Sequence, residues 1–268
     1  MIFALPLYDD NPIQNPPVVT YALIGMCIGA FLWQLGQDPK IVAYQFGMVP
    51  GVLFGYRALS PGLAIIPSWT TILTSMFLHA GWVHLGGNML FLWIFGNNVE
   101  DLLGRARFLA LYLASGAAAA LIQAVSAAHS QVPMIGASGA IAGVLGAYLV
   151  TYPRANVHCF VWIVIFFWIL AVPAWILLGL WFGMQLLSGL AAGPAAPGVA
   201  FWAHVGGFAT GIVLFLLLRP RRVMLLQAQK TPIWATVAPG DLAGRRTFHH
   251  GSVPEAGPGY RPRPGPWD

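Results

Sequence analysis

The stretch that decides the architecture of this chain is GASGAIAG, residues 136–143, a run of small apolar residues around the hydroxyl of Ser138. Gly139 and Gly143 stand four residues apart, and pairs of small residues at this spacing let two membrane helices approach closely. Ser138 therefore has two interpretations. It is a packing or capping serine at the start of a helix, or it is a nucleophile whose neighbours are small so that another group can reach it.

The composition indicates a membrane protein. Of the 268 residues, 58% are hydrophobic and 8% are charged, whereas a soluble domain carries about 25% charged residues. Charged residues are missing from four long intervals, namely 11–37, 58–99, 108–153 and 155–218. Such intervals are typical of membrane spans and the loops between them. The net charge of +5 does not point to nucleic acid, because the basic residues stand at span ends and in the C-terminal tail without an aromatic platform.

Six apolar segments predict an all-α fold, a polytopic membrane bundle of six transmembrane helices. Their expected bounds are 18–35, 82–99, 108–128, 138–152, 157–182 and 201–218. Pro173 is expected to kink the fifth segment, because proline removes one helical hydrogen bond. Cys27 and Cys159 lie in or beside different spans, and we interpret both as buried small hydrophobes.

The distribution of lysine and arginine predicts the orientation of the bundle. Arginines occur between spans two and three, between spans four and five, and after span six: Arg105, Arg107, Arg154, Arg219, Arg221 and Arg222. The loops on the opposite side contain only Lys40 and Arg57. By the positive-inside rule, both termini are expected in the cytoplasm. A six-span layout without a targeting segment favours the bacterial cytoplasmic (inner) membrane.

The segments outside the spans have distinct compositions. The first loop, 36–71, is long and apolar, and we expect it to contact membrane lipid on the extracytoplasmic side. The fifth loop, 183–200, is rich in Gly, Ala and Pro, and we expect a mobile cover. Residues 1–222 are expected to form the membrane domain. Residues 223–268, rich in Pro, Gly and Arg, are expected to form a disordered cytoplasmic tail.

Polar side chains inside membrane spans are costly and usually functional. His84, Ser138 and His204 each lie 15 or 16 residues before the first charged residue that follows their span. At 1.5 Å per residue, all three lie roughly 22–24 Å from the cytoplasmic boundary of a hydrocarbon core about 30 Å thick. Asn88 follows His84 by one helical turn and shares its face. Polar groups of three helices at one level predict a single site beneath the outer surface.

The residue types at this level suit nucleophilic catalysis. Gly207 and Gly211, which follow His204, form a second small pair, so spans four and six are expected to approach closely. The imidazole would then come within hydrogen-bond reach of Ser138, as a general base must for its nucleophile. Because no carboxylate lies at this level, the sequence predicts a Ser-His dyad.

Ser138 is also placed to bind an oxyanion, because the first N–H groups of a helix lack intrahelical acceptors. His84 and Asn88 are the expected side-chain donors. Other chemistries need residues that the spans lack. A zinc protease needs an HExxH-type pair, whereas His79 and His84 are five residues apart with no acid between them. An aspartyl protease or an ion-coupled transporter needs acidic residues within the membrane. We therefore expect no metal and no cofactor.

The motifs FLHxxxxHLxxN, GASG and AHVGGxxxG, in this order within six spans, resemble those of the rhomboid family of intramembrane serine proteases. The resemblance runs from the first span to about Arg222. It implies Ser138 as nucleophile and His204 as base, with His84 and Asn88 as oxyanion stabilisers. It also implies transmembrane protein substrates that are cleaved within or beside their membrane spans.

Structural support for this site is expected from small residues and one histidine: Gly136, Gly139, Gly143, Gly207, Gly211 and His79. The chain departs from the family pattern at two points. Many members carry an aromatic residue, stacked on the histidine, where this chain has Ala142, so another group must hold His204. Many also carry a Trp-Arg pair in the first loop, for which Tyr56-Arg57 is the nearest counterpart.

Alternatives stay open at the level of residues and of the whole chain. Ser138 alone is explained by a helix cap, and His84 and Asn88 by an interhelical hydrogen bond. The chain as a whole is alternatively a catalytically inactive rhomboid-like protein that binds transmembrane helices. Such proteins typically lose the serine or the histidine, and both are present here.

Overall fold

The computed structural model describes residues 2–163, 166–192, 200–221 and 223–227, and this part of the chain is mostly helical. Its α-helices are α1 (Val18–Gln34), α2 (Pro39–Phe46), α3 (Pro50–Leu53), α4 (Thr71–Thr74), α5 (Trp82–Phe91), α6 (Asn97–Leu103), α7 (Arg105–Ser126), α8 (Ser138–Thr151), α9 (Ala174–Ala191) and α10 (Phe201–Leu218). A π-helical turn, Leu92–Gly96, joins α5 to α6. Two 3-10 turns, Ser68–Thr70 and Ser75–Phe77, flank α4.

The helices lie close to five of the six predicted segments. Among the described residues, α7, α9 and α10 are each long and apolar enough to cross a membrane by themselves. The apolar helices α1 and α8 are shorter, with 17 and 14 residues. Most side chains of α8 are buried, so this helix packs inside the bundle. The six-span count stays a prediction.

The expectation of an all-α fold needs a correction, because the chain also forms a three-stranded antiparallel sheet. Its strands are β1 (Ile2–Asp9), β2 (Asn156–Ile163) and β3 (Phe166–Pro173), in the order β1-β2-β3. β2 and β3 are rich in β-branched and aromatic residues, which favour strands. β1 lies at an edge of the sheet, where Pro6, which has no N–H, is tolerated.

The helix of the fifth predicted segment, α9, starts later than predicted. The first part of the predicted segment 157–182 is the β2–β3 hairpin, and α9 begins at Ala174. Pro173 precedes this helix instead of kinking it, because a proline at a helix start loses no intrahelical hydrogen bond. Residues 183–191, expected in a mobile loop, form the second half of α9. Residues 193–199 of that loop lie outside the described residues.

α8 and α10 contact each other backbone to backbone. A Cβ added to Gly207 would overlap the carbonyl oxygen of Gly139, and a Cβ added to Gly211 would overlap the backbone of Gly143. Cβ atoms on Gly139 and Gly143 would collide with side chains of α7. The glycines therefore set the distances between α7, α8 and α10.

Glu100 joins α6 to the start of α1. Its buried carboxylate accepts hydrogen bonds from the N–H of Val19 at 2.9 Å, the N–H of Thr20 at 2.7 Å and the hydroxyl of Thr20 at 2.8 Å. A carboxylate at this position satisfies the first N–H groups of α1 and the positive end of its dipole. Gly104, with φ +76°, then ends α6 and lets α7 begin at Arg105.

The connection between α1 and α5 packs against the loop that precedes α8. Met48 and Met134 exchange two backbone hydrogen bonds, with N···O distances of 3.0 and 2.8 Å. The N–H of Gly136 donates to the carbonyl oxygen of Ser75 at 2.8 Å. These bonds fix the backbone that leads into Ser138.

The first residues of the predicted tail belong to the packed part of the chain. The N–H groups of Leu226 and Gln227 donate to the carbonyl oxygens of Val150 and Thr151, at 3.1 and 2.9 Å. The remainder of the predicted tail, 228–268, lies outside the described residues.

Candidate active site

The three residues predicted to share one level all stand in the first turn of a helix. His84 is the third residue of α5, Ser138 the first of α8, and His204 the fourth of α10. The N–H of Ser138 lacks an intrahelical acceptor at this position. Gly136, two residues earlier, has φ +127°, a conformation that residues with a side chain rarely adopt. The sharp turn at Gly136 starts α8 with the serine hydroxyl and a backbone donor side by side.

Ser138 and His204 are in hydrogen-bond contact. The Oγ of Ser138 lies 2.7 Å from Nε2 of His204, and the histidine is 8% exposed. The close approach of α8 and α10 at Gly139 and Gly207 makes this distance possible, because larger residues there would separate the helices.

Gln185, which the sequence analysis missed, holds the other side of the imidazole. Its Oε1 lies 2.8 Å from Nδ1 of His204. An amide oxygen only accepts hydrogen bonds, so Nδ1 carries the proton in this arrangement and Nε2 is free to accept the proton of Ser138. A signal for Gln185 was present in the sequence, since it is a polar side chain within a long apolar segment.

Trp181 is the aromatic residue that packs beside the His204 ring, a neighbour that Ala142 cannot supply. Its ring centroid lies 5.7 Å from that of His204, at an interplanar angle of 39°. Ala142 itself is fully buried in α8. The aromatic neighbour of the imidazole therefore comes from α9, one turn before Gln185.

His84 faces the turn at Gly136. Its Nδ1 accepts a hydrogen bond from the N–H of Ala80 at 3.3 Å, which leaves the proton of the neutral ring on Nε2. A Cβ added to Gly136 would lie 2.8 Å from this Nε2 and 3.8 Å from the Oγ of Ser138. The missing side chain of Gly136 thus opens a small space between a ring donor and the serine hydroxyl.

Asn88 is buried one turn after His84, and its side chain forms a hydrogen bond within α5. Its Nδ2 donates to the carbonyl oxygen of His84 at 3.0 Å. This bond places the amide on the His84 face of the helix. It does not by itself join Asn88 to Ser138 or His204.

His79 packs beside the site. Its N–H and carbonyl oxygen bind the amide of Gln34 at 3.0 and 3.2 Å, and its ring centroid lies 5.2 Å from that of His84. Burial, with a smaller contribution from His84, lowers the pKa of His79 to about 4. His79 is therefore neutral at physiological pH, and its backbone ties the start of α5 to the end of α1.

The arrangement is suited to acyl transfer by a serine nucleophile, because a hydroxyl, a neutral base and N–H donors surround one small space. Among the described residues, no group of three or more His, Cys, Asp or Glu side chains is placed to hold a metal ion.

Comparison with known proteins points to one family. A family model described as the Rhomboid domain matches residues 67–221, a range that includes every residue of the candidate site. The chain is 35% identical over 152 residues to Rhomboid protein 1, mitochondrial, of Saccharomyces cerevisiae, which covers 55% of this chain and 40% of that protein. The candidate site thus lies wholly within a segment that known proteins share.

Two further relatives carry protease in their names. The chain is 41% identical over 97 residues to Rhomboid protease GluP of Bacillus subtilis, covering 36% of this chain and 18% of that protein. It is 28% identical over 149 residues to Rhomboid-type serine protease 2 of Emericella nidulans, covering 55% of this chain and 26% of that protein. The chain matches less than half the length of each of these three relatives.

Proposed function

Because the chain belongs to the rhomboid family, we propose that it is an intramembrane serine endopeptidase that uses a Ser-His dyad. The observation that carries this proposal is the 2.7 Å contact between Ser138 Oγ and His204 Nε2. Two of the relatives described above are named as proteases, which supports the same activity. Both members of the dyad come from apolar helices, so the reaction would take place at the level of the membrane.

Ser138 is the nucleophile and His204 the general base in this proposal. As Oγ attacks the carbonyl carbon of the scissile peptide bond, Nε2 takes the hydroxyl proton. Nε2 then gives this proton to the leaving amine, the C–N bond breaks, and the acyl group remains on Oγ as an ester. Water that loses a proton to Nε2 attacks the ester carbon, the C–Oγ bond breaks, and the carboxylic acid product leaves. Nε2 returns the proton to Oγ, which restores the serine hydroxyl and the neutral base.

The oxyanion of the tetrahedral intermediate is bound by the Ser138 N–H, by Nε2–H of His84 and by Asn88. The space at Gly136 supports this assignment, because it lies between the His84 ring and the attacking oxygen. Asn88 would have to turn its amide from the His84 carbonyl oxygen to take part. One such donor typically contributes about 10²–10³ in kcat.

The substrates are transmembrane proteins with a single membrane helix, cleaved within or near that helix. We place their docking side near α5 and α9, because large apolar side chains of α9 are exposed, among them Leu180, Met184 and Leu187. A substrate helix would unwind where Gly, Pro or other weak helix formers lower the cost. The extended segment would then reach Ser138 with its scissile bond.

The arginine distribution predicts the orientation of the chain, and the span layout predicts its location. Both termini would lie in the cytoplasm and the dyad near the opposite leaflet. The relatives include mitochondrial and bacterial proteins, so they do not select one membrane. The bacterial cytoplasmic membrane stays a prediction from the span layout.

The test uses the purified chain in lipid vesicles with a panel of single-pass membrane proteins and a fluorophosphonate that labels activated serines. We expect wild type to cleave at least one panel member and to be labelled. Ser138→Ala should lose both properties while keeping the wild-type circular dichroism spectrum. A folded wild type that neither cleaves nor becomes labelled would support the alternative, an inactive rhomboid-like protein that binds transmembrane helices.

A further inference from the structure

Gln185 occupies an unusual position for a polar side chain. It lies on α9, whose sequence AWILLGLWFGMQLLSGLA has Gln185 and Ser188 as its polar side chains. An amide in a membrane helix is costly unless it has a hydrogen-bond partner. The partner here is His204 Nδ1, at 2.8 Å from Gln185 Oε1. This nitrogen is the one that does not contact Ser138.

The hydrogen bond has a chemical consequence, because a neutral imidazole has one N–H and one acceptor nitrogen. With Oε1 facing Nδ1, the proton sits on Nδ1, and Nε2 can accept the proton of Ser138. In the other tautomer, Nε2 would carry the proton and donate to Ser138 Oγ, so His204 could not act as its base. An acceptor at Nδ1 therefore selects the tautomer that the reaction needs.

α9 holds the imidazole in two ways. Trp181 contacts the ring at a centroid distance of 5.7 Å, and Gln185, four residues later on the same helix face, binds its edge. The contact with Trp181 restricts where the imidazole lies. The hydrogen bond to Gln185 restricts the rotation of the imidazole about its Cβ–Cγ bond and selects its tautomer.

We propose that Gln185 is a positioning residue of the dyad, which keeps His204 in the Nδ1–H tautomer and directs Nε2 at Ser138. This inference rests on the proposed function only for its effect on catalysis, since the tautomer is a property of the protein without substrate. Gln185 touches neither the nucleophile nor, in this proposal, the substrate. A neutral amide orients the base without supplying the negative charge that a carboxylate would add beside the imidazolium.

Two substitutions separate positioning from packing. Gln185→Leu introduces an apolar side chain of similar size and removes the acceptor, and we expect kcat to fall roughly 10- to 100-fold with KM nearly unchanged.

Gln185→Glu keeps an acceptor oxygen, and we expect kcat within about tenfold of wild type. Its acid limb of kcat against pH should move to higher pH, because the carboxylate stabilises the imidazolium. Gly179→Ala, on the same helix at a position where an added Cβ meets no atom within 4 Å, is the matched control and should keep the wild-type kcat.

The pattern across the variants decides the proposal. A packing role would leave Gln185→Leu active and would make the charged Gln185→Glu the more damaging change. That result, or a wild-type pH profile in Gln185→Glu, overturns the positioning role. A loss in Gln185→Leu that matches a loss in Gly179→Ala would also overturn it, because it would assign the effect to a disturbance of α9.

A second measurement does not depend on activity. In protein labelled with [15N]histidine, the His204 signals are identified by their absence from His204→Ala. We expect wild type to show a protonated Nδ1 and an unprotonated Nε2, and Gln185→Leu to show a mixture of tautomers. The same tautomer in both proteins would overturn the inference even if wild type cleaves its substrates. A wild type without cleavage or labelling would refute the proposed function and leave the tautomer result to decide the role of Gln185.

Discussion

Replacing Gly207 with alanine adds one methyl group between α8 and α10. The new Cβ would overlap the carbonyl oxygen of Gly139, whereas carbon and oxygen atoms keep roughly 3.3–3.6 Å apart. Relief of the overlap requires the two helices to separate by roughly 1 Å. His204 lies three residues before Gly207 on the same helix, so its ring would move with the backbone. The contact of 2.7 Å with Ser138 would lengthen to about 3.7 Å, beyond hydrogen-bond range.

The expected loss is large for so small a change. A displacement of about 1 Å at a reacting group costs about 10²-fold in rate, which corresponds to about 2.7 kcal/mol of transition-state stabilisation. Overpacking should also lower the free energy of unfolding by about 1–3 kcal/mol. We therefore expect Gly207→Ala to remain folded in detergent at room temperature, with kcat/KM reduced at least about 100-fold.

The assay measures kcat/KM on a single-pass reporter in lipid vesicles, together with thermal unfolding of the same preparations. The matched control is Gly183→Ala on α9, where an added Cβ meets no atom within 4 Å. This variant should keep the wild-type rate. If Gly207→Ala is folded and cleaves within about threefold of wild type, the link between glycine packing and dyad geometry is wrong.

Two further predictions concern stability. Glu100→Ala removes the acceptor of three hydrogen bonds at the start of α1, so the free energy of unfolding should fall by about 2–4 kcal/mol; an unchanged unfolding midpoint would contradict this role. Burial is the main cause that raises the pKa of Asp9 to about 7, so between about pH 4 and pH 7 its carboxyl is protonated in the folded chain and ionised in the unfolded chain. Its contribution to stability is complete below pH ~4 and is lost as the pH rises through about 7. Asp9→Asn should therefore be more stable than wild type at pH 8 and should lose less thermal stability between pH 5 and pH 8, and an identical pH dependence in both proteins would refute the assignment.

The sequence predicted helix bounds best where long intervals without charge marked the spans. It predicted helix contacts best where glycines stand four residues apart. Intervals without charge located five of the six predicted segments to within a few residues. The prediction that α8 and α10 approach closely rested on the small pairs, and the structure brings Gly207 against Gly139. The contact of Ser138 with His204 follows from that packing. Their catalytic roles stay predictions, as do those of His84 and Asn88.

The errors have a common origin in the apolar run around Pro173. Hydrophobic periodicity does not separate a buried strand from a membrane helix in a continuous apolar run. The segment was therefore assigned to one kinked helix, where the structure has the β2–β3 hairpin followed by α9. This shift placed Gln185 in a loop and left Trp181 near a span end. The partners of the imidazole thus escaped the sequence analysis because the helix that presents them was placed too early.

The sheet constrains the order in which the chain can be assembled. β1 is synthesised before its partner strand, because Asp9 pairs with Val157, which follows it by 148 positions (157 − 9). At 5–20 residues per second, the ribosome needs roughly 7–30 seconds to reach that partner. During this delay the backbone groups of β1 have no strand to pair with. The residues of β1 are therefore paired only after α1 through α8 have been synthesised.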